Sequence, residues 1–245
     1  MKFTRIHIDE TDSTNRWLQT HEPPFGREDN VAVWADFQTA GRGCGNNTWE
    51  SQRAKNLLFS LLCHPVFVKA DRQFVVSEAI ALAIRRVVCR YVEPGRVRIK
   101  WPNDLYVDDR KLAGILIENQ LHGQLLASCI IGVGLNVNQQ VFLSDAPNPV
   151  SLWQLLGRET DRETLLDEIV QAFGEELTRC DTEAQEVHFD YVSCLYRNEG
   201  FHRYRDANGE FEAELETIET DGRLILRDRN ARLRRYAFKE VQYVI

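Results

Sequence analysis

The chain has no apolar run of the length that crosses a bilayer, for which about 20 consecutive apolar residues are needed. No apolar stretch follows Met1-Lys2-Phe3-Thr4, so the pattern of a signal peptide is excluded. The six cysteines, at positions 44, 63, 89, 129, 180 and 194, form no CxxC pair, and the six histidines are equally dispersed. That excludes a zinc pattern and a disulfide framework and fits free thiols in a reducing compartment, so a cytoplasmic protein is expected. Basic charge is short as well. Thirty Lys and Arg stand against 37 Asp and Glu, a formal net charge of −7, which argues against general nucleic-acid binding. Internal repeats and low-complexity tracts are lacking.

What is present is enough for a sizeable core: 245 residues, of which 43% are hydrophobic. That length holds one large domain, or one domain with a small module. The most informative stretch is Gln38-Thr39-Ala40-Gly41-Arg42-Gly43-Cys44-Gly45-Asn46-Asn47-Thr48-Trp49. It has no helical or strand period. Glycines let a backbone approach a ligand and aim successive N–H groups at it, and Arg42 adds a fork of donors suited to phosphate or carboxylate. This stretch is an anion-binding loop or a long turn between two strands.

A second stretch separates those alternatives. Lys100-Trp101-Pro102-Asn103-Asp104-Leu105 ends a strand in a Pro-fixed corner that displays an amide and a carboxylate. Tyr106 to Glu118 then reads as a hairpin turning at Asp108-Asp109-Arg110, with Lys111 opening the return strand. A lysine at a hairpin edge is usually solvated, and the residues behind it are core-like. Gly114 inside the strand marks a close approach by a ligand or another backbone.

The remaining pattern places strands at 3–8, 31–35, 56–63 and 97–101 and a long one at 124–137, with a polar loop over 22–30 and an irregular one over 139–148. Thr11-Asp12-Ser13-Thr14 fits a helix start, where hydroxyls usually cap free N–H groups. A buried helix is expected over 74–91, a short one over 151–156 and a long one over 162–180, entered through a Thr160-x-x-Glu163 capping box. Gly132-x-Gly134 lacks the helix that a dinucleotide fingerprint requires, so a Rossmann domain is rejected. From about residue 200, alternating residues with turns at Asn208-Gly209 and Asp221-Gly222 indicate a meander of short strands. The expected architecture is α+β: a mixed-sheet catalytic domain over 1–195 followed by a small β-barrel over 196–245.

Taken in order, Ser13-Thr14-Asn15, the glycine loop with Trp49, Lys100 to Leu105, Lys111 to Glu118, Gly132-x-Gly134-x-Asn136 and the C-terminal meander resemble the biotin protein ligases, also called biotin–[acetyl-CoA-carboxylase] ligases. The resemblance covers nearly the whole chain, and the ordered set is far more specific than any one motif. It implies a two-step reaction. Biotin's carboxylate is joined to the α-phosphate of ATP, giving biotinyl-adenylate and pyrophosphate. A lysine amine of a biotin carboxyl carrier protein then attacks the acyl carbon and AMP leaves. It also implies Mg²⁺ to screen the triphosphate.

By that resemblance Arg42, Lys111 and Asp104 are catalytic, with Asp104 either holding Mg²⁺ or orienting the incoming lysine. Biotin falls to Ser13, Thr14, Asn15 and Gln38, with Arg42, Gly43, Cys44, Lys111 and Gly114. The nucleotide falls to Gly41, Arg42, Trp49, Asn103, Lys111 and Asn136, Trp49 chiefly as an anchor for the loop. The glycine loop would close over the adenylate and exclude water. No DNA-binding segment precedes the first catalytic strand, so neither nucleic acid nor membrane is an expected partner, and a homodimer is left open. The loop departs from the family at Cys44, Gly45, Asn46 and Asn47, keeping one arginine where many relatives have three or four. Either the adenylate is held less firmly, with Cys44 acquiring a lowered pKa beside the phosphates, or Arg53 or Lys55 folds back to supply charge. The neighbouring alternatives are a lipoate-attaching ligase of the same fold and a catalytically weak binder of the carrier protein.

Overall fold

The computed structural model describes residues 1–21, 29–45, 47–144 and 148–244. Most of the loop expected over 22–30, part of that over 139–148, and Asn46 lie outside these. The chain begins with β1 (Phe3–Thr11), α1 (Thr14–Thr20), β2 (Asn30–Gln38) and β3 (Leu57–Cys63). Helix α2 (Phe74–Val88) follows, then β4 (Val97–Lys100), β5 (Asp104–Val107), β6 (Arg110–His122) and β7 (Leu125–Leu135). These strands form one sheet in the order β1-β2-β3-β7-β6-β5-β4, with β1 parallel to β2 and the other neighbours antiparallel. The mixed sheet with helices agrees with the α+β expectation.

Strand β2 shows why the sheet is covered on both faces. Ala32 and Trp34 point into the main core, while Val31 and Val33 join Leu18 and Ile130 in a smaller cluster beneath α1. A strand buried on both sides reads as a continuous apolar run, as Val31 to Ala35 does. Helix α2 covers the main-core face, and α4 (Arg162–Thr182) and α5 (Ala184–Ser193) pack against it. The short α3 (Leu152–Leu156) precedes them.

One local expectation is corrected. The capping box at Thr160 and Glu163 does not form. Asp161 is the N-cap of α4, accepting from Thr164 N at 2.7 Å, because Thr160 is held outside the helix by Asn138 through two bonds of 2.9 Å. A capping box forms instead at Ser151 and Gln154, before α3. Helix α5 was not foreseen.

The C-terminal strands are β8 (His202–Asp206), β9 (Gly209–Ile218), β10 (Leu224–Asp228), β11 (Leu233–Tyr236) and β12 (Gln242–Tyr243). They pair antiparallel in the order β11-β10-β9-β8-β12, and among the described residues no ladder joins β11 to β12 to close a barrel. Tyr204, Ala213, Leu224 and Tyr236 belong to the same buried cluster as the large sheet. The small sheet therefore shares the core of the large one.

Candidate active site

A cleft of about 740 Å³ lies where the glycine loop, the β4–β5 corner, the glycine-bearing parts of β6 and β7 and the C-terminal segment meet. The loop is closed by its own backbone into a hairpin. Gly43 N donates to Asn47 O at 2.7 Å and Trp49 N to Gly41 O at 3.0 Å. Gly41 sits in the stem of that hairpin, where a Cβ would lie 2.8 Å from the Trp49 carbonyl.

Trp49 shows what the strand glycines are for. Gly114 pairs with Gly134 across β6 and β7, and a Cβ on either would meet the Trp49 indole, at 2.9 and 2.4 Å. The close approach expected at Gly114 is thus made by an indole lying in a glycine trough. Trp49 anchors the loop on the sheet while also lining the cleft. Gly132, two pairs further along, leaves room for Asn15 in the same way, its Cβ falling 2.2 Å from Asn15 Oδ1.

The floor is a polar network. Ser13, Thr14, Asn15 and Ser60 are all buried. Gln38 Oε1 accepts from Thr14 N at 2.7 Å and from Thr14 Oγ1 at 3.0 Å. Ser60 Oγ lies 2.7 Å from Thr14 Oγ1 and 2.6 Å from Asn15 Oδ1. Ser13 holds the N-cap position of α1, yet its side chain makes no cap bond. The usual use of a hydroxyl at a helix start is therefore not the one made here, and Ser13 lines the cleft instead.

Although the chain as a whole is acidic, the described lining residues include four cations, Arg42, Lys100, Lys111 and Lys239, and one carboxylate, Asp104. Lys111 Nζ lies 2.7 Å from Asp104 Oδ1 and 5.6 Å from the centre of the Trp49 ring. Its backbone is bridged on the open edge by Asn148 and Val150, so the side chain is only 32% exposed rather than solvated. Arg42 Nη2 pairs with Glu118 Oε2 at 3.2 Å, and Asn15 Nδ2 donates to the same oxygen at 2.7 Å. Asn103 fixes the β4–β5 corner through its Nδ2, which donates to Ile115 O at 2.7 Å, and the Trp101–Pro102 peptide there is cis.

Asn136 stands off the cleft wall. It is buried just after β7, donating from Nδ2 to Val150 O at 3.1 Å, which ties the end of β7 to the segment before α3. Two expectations for the loop also change. Arg53 pairs with Glu10, and Lys55 Nζ lies 3.2 Å from Glu159, so neither folds back toward Cys44. Burial pushes the Cys44 thiol above its ordinary pKa, against the opposing field of nearby Lys239, so a lowered value is not found.

Some cleft residues carried no role in the sequence. Lys100 lay inside a quoted motif without one. Its Nζ donates to Tyr106 Oη at 3.0 Å and sits between the Tyr106 and Tyr243 rings, at 4.7 and 5.2 Å, where burial lowers its pKa. Glu118 had read as part of a core strand. Lys239 lies in the turn before β12 and Tyr243 in β12 itself, and no local pattern links them to a loop two hundred residues earlier.

Residues 8–136 match the model of the Biotin/lipoate A/B protein ligase family. The chain is 31% identical over 231 residues to the bifunctional ligase/repressor BirA of Bacillus subtilis, covering 89% of this chain and 67% of that one. It is 31% identical over 179 residues to the biotin–[acetyl-CoA-carboxylase] ligase of Paracoccus denitrificans, covering 70% and 72%. The fold is similar to that of biotin protein ligase from Aquifex aeolicus in complex with biotin and ATP, with a TM-score of 0.80, 23% identity and coverage of 98% and 99%. With the glycine hairpin, the Lys111–Asp104 pair and the polar floor gathered on one cleft of this fold, the chain belongs to the biotin/lipoate A/B protein ligase family.

Proposed function

We propose that this protein is an ATP-dependent biotin protein ligase, which activates biotin as biotinyl-adenylate and transfers it to a lysine of a biotin carboxyl carrier domain. The observation that carries this is the charge and polarity of the cleft: a floor of hydroxyls and amides, and a lining that includes the four cations Arg42, Lys100, Lys111 and Lys239 with the carboxylate of Asp104. A ureido ring offers one acceptor and two donors, which Ser13, Thr14, Asn15 and Gln38 match in kind. A carboxylate and a triphosphate brought together need fixed positive charge and N–H donors, which Arg42, Lys111 and the loop backbone supply.

The ligand-free geometry says what binding must rearrange. Arg42 and Lys111 each hold a carboxylate, Glu118 and Asp104. An anionic ligand competes for both cations and releases both carboxylates. Asp104 then fits a Mg²⁺ ion arriving with the triphosphate, since Mg²⁺ keeps most of its waters and takes one or two carboxylates beside the phosphates. There the ion would screen phosphate charge. Trp49, seated on Gly114 and Gly134, holds the loop against the sheet so that water is kept from the mixed anhydride. Free thiols suit a reducing, cytoplasmic setting, and the acidic chain suits a protein partner rather than nucleic acid.

ATP–pyrophosphate exchange tests the assignment. Exchange is expected with biotin and Mg²⁺ and not with lipoate. Exchange with lipoate alone would make this a lipoate-attaching ligase. None with either acid, together with retained binding of the carrier domain, would leave a binding protein.

A further inference from the structure

The glycine loop keeps one arginine, and that arginine is engaged by Glu118. Arg53 and Lys55, just beyond Trp49, are committed to Glu10 and Glu159. The charge that reaches the tip of the loop comes from elsewhere in the chain. Lys239 lies between β11 and β12, on the wall of the cleft. Its Nζ lies 2.0 Å from the point where a Cβ on Gly45 would stand. Gly45 therefore cradles an ammonium, and its own φ of +69° also favours glycine.

Lys239 is held in this position at a conformational cost. The turn Ala237–Glu240 is closed by Glu240 N donating to Ala237 O at 3.2 Å, and locked by Ala237 N donating to Glu240 Oε2 at 2.7 Å. Lys239 takes the third place of that turn with φ +70°, a conformation for which glycine is the usual choice. Non-glycine residues held there carry a conformational cost and concentrate at functional sites. Among the described residues Lys239 has no ion-pair or hydrogen-bond partner; its recorded neighbours are the Phe238 ring at 5.6 Å and Cys44, whose titration it influences. A solvated surface lysine needs neither a glycine cradle nor a left-handed backbone.

We propose that Lys239 is a phosphate-binding residue of the adenylation site, a cation from the turn between β11 and β12 that supplies the charge the glycine loop lacks beyond its one arginine. This rests on the adenylate-forming activity proposed above. Its ammonium meets the phosphate groups of ATP from the side opposite the sheet, and in the adenylate it holds the phosphoryl group beneath the loop.

The test is made on the full chain, comparing wild type with Lys239→Ala, Lys239→Arg and the double variant Cys44→Arg/Lys239→Ala. The readouts are KM for ATP in pyrophosphate exchange, run with whichever acid supports it, and the Kd of MgATP by calorimetry, which needs no acid. Losing a charge-assisted phosphate contact is expected to raise both about ten- to hundredfold in Lys239→Ala. The KM for the acid and the melting temperature should stay at wild-type values. Lys239→Arg should restore ATP binding, and so should the double variant, because an arginine at position 44 returns the charge to the same place. A wild-type ATP Kd in Lys239→Ala overturns the proposal, and a double variant as weak as Lys239→Ala overturns the claim of replacement. A shift in the preferred acid alone would revise the substrate and leave Lys239 where it is proposed.

Discussion

Lys111 carries opposite charge to Asp104, its only ion-pair partner among the described residues, at 2.7 Å, and that pair must open for an anion to enter. Removing a preorganised group that faces developing charge typically costs about 10²–10³ in turnover. Lys111→Ala is therefore expected to lose exchange activity on about that scale while its far-ultraviolet spectrum and melting curve stay native. Turnover equal to wild type in a folded variant would make Lys111 an ordinary edge lysine. At this scale the sequence was informative where chemistry was dense: Ser13, Thr14, Gln38, Arg42, Asp104 and Lys111 all reach one cleft. It was silent where a residue acts through distance. Glu118 closes an apolar strand and Lys239 sits in a polar turn, and neither local setting distinguishes a site residue from a solvated one. At Asn136 the motif is intact, and its Nδ2 donates to the carbonyl of Val150.

Helices α2 and α5 are joined by a pair that was invisible in the pattern. Glu78, 3% exposed on α2, lies 2.6 Å from His188 Nδ1 on α5. The hydrogen bond to Glu78 raises the His188 pKa above its ordinary value, against the effect of burial. A histidine whose folded pKa is raised contributes stability that is full below its unfolded value and lost as pH rises through the folded one. Stability is thus expected to fall as pH climbs above 6.5, the unfolded value, toward 9. Cys180 and Tyr191, also near Glu78, are pushed up, Cys180 to about 12, and do not titrate in that window. His188→Ala should remove this pH slope and cost about 3 kcal/mol near neutral pH by leaving a buried carboxylate unpaired. Urea midpoints at pH 6 and 9 measure both effects, and parallel slopes in the two proteins would exclude the pair as their source. Helix α5 escaped notice because it buries only Val187 and Tyr191, too few apolar positions to make a helical stripe. The sheet was legible because its strands are apolar on one or both faces, and α2 because it is apolar nearly all round.

The two sheets, which share one buried core, are also linked by Trp101, whose Nε1 donates to Gly222 O at 2.8 Å. Gly222 has φ +89°, and a Cβ there would meet the Phe74 ring at 2.5 Å. Gly222→Ala combines a left-handed backbone with overpacking and is expected to cost about 3 kcal/mol. A urea midpoint unchanged from wild type would show that the small sheet docks by other means. The same change should weaken exchange, because residues 238 and 241–243 form part of the cleft wall. Sequence patterns revealed both sheets but not their shared core, since docking depends on single contacts such as this one, with no period to betray them. The span of the cleft, from Ser13 to Tyr243, also bears on how the enzyme comes into being. During translation the glycine loop and the Lys111 hairpin emerge long before the segment that completes their wall. Until that segment has left the ribosome, a nascent chain carries the loop and the hairpin without the residues that finish the pocket, so activation of biotin must wait until synthesis has passed residue 243.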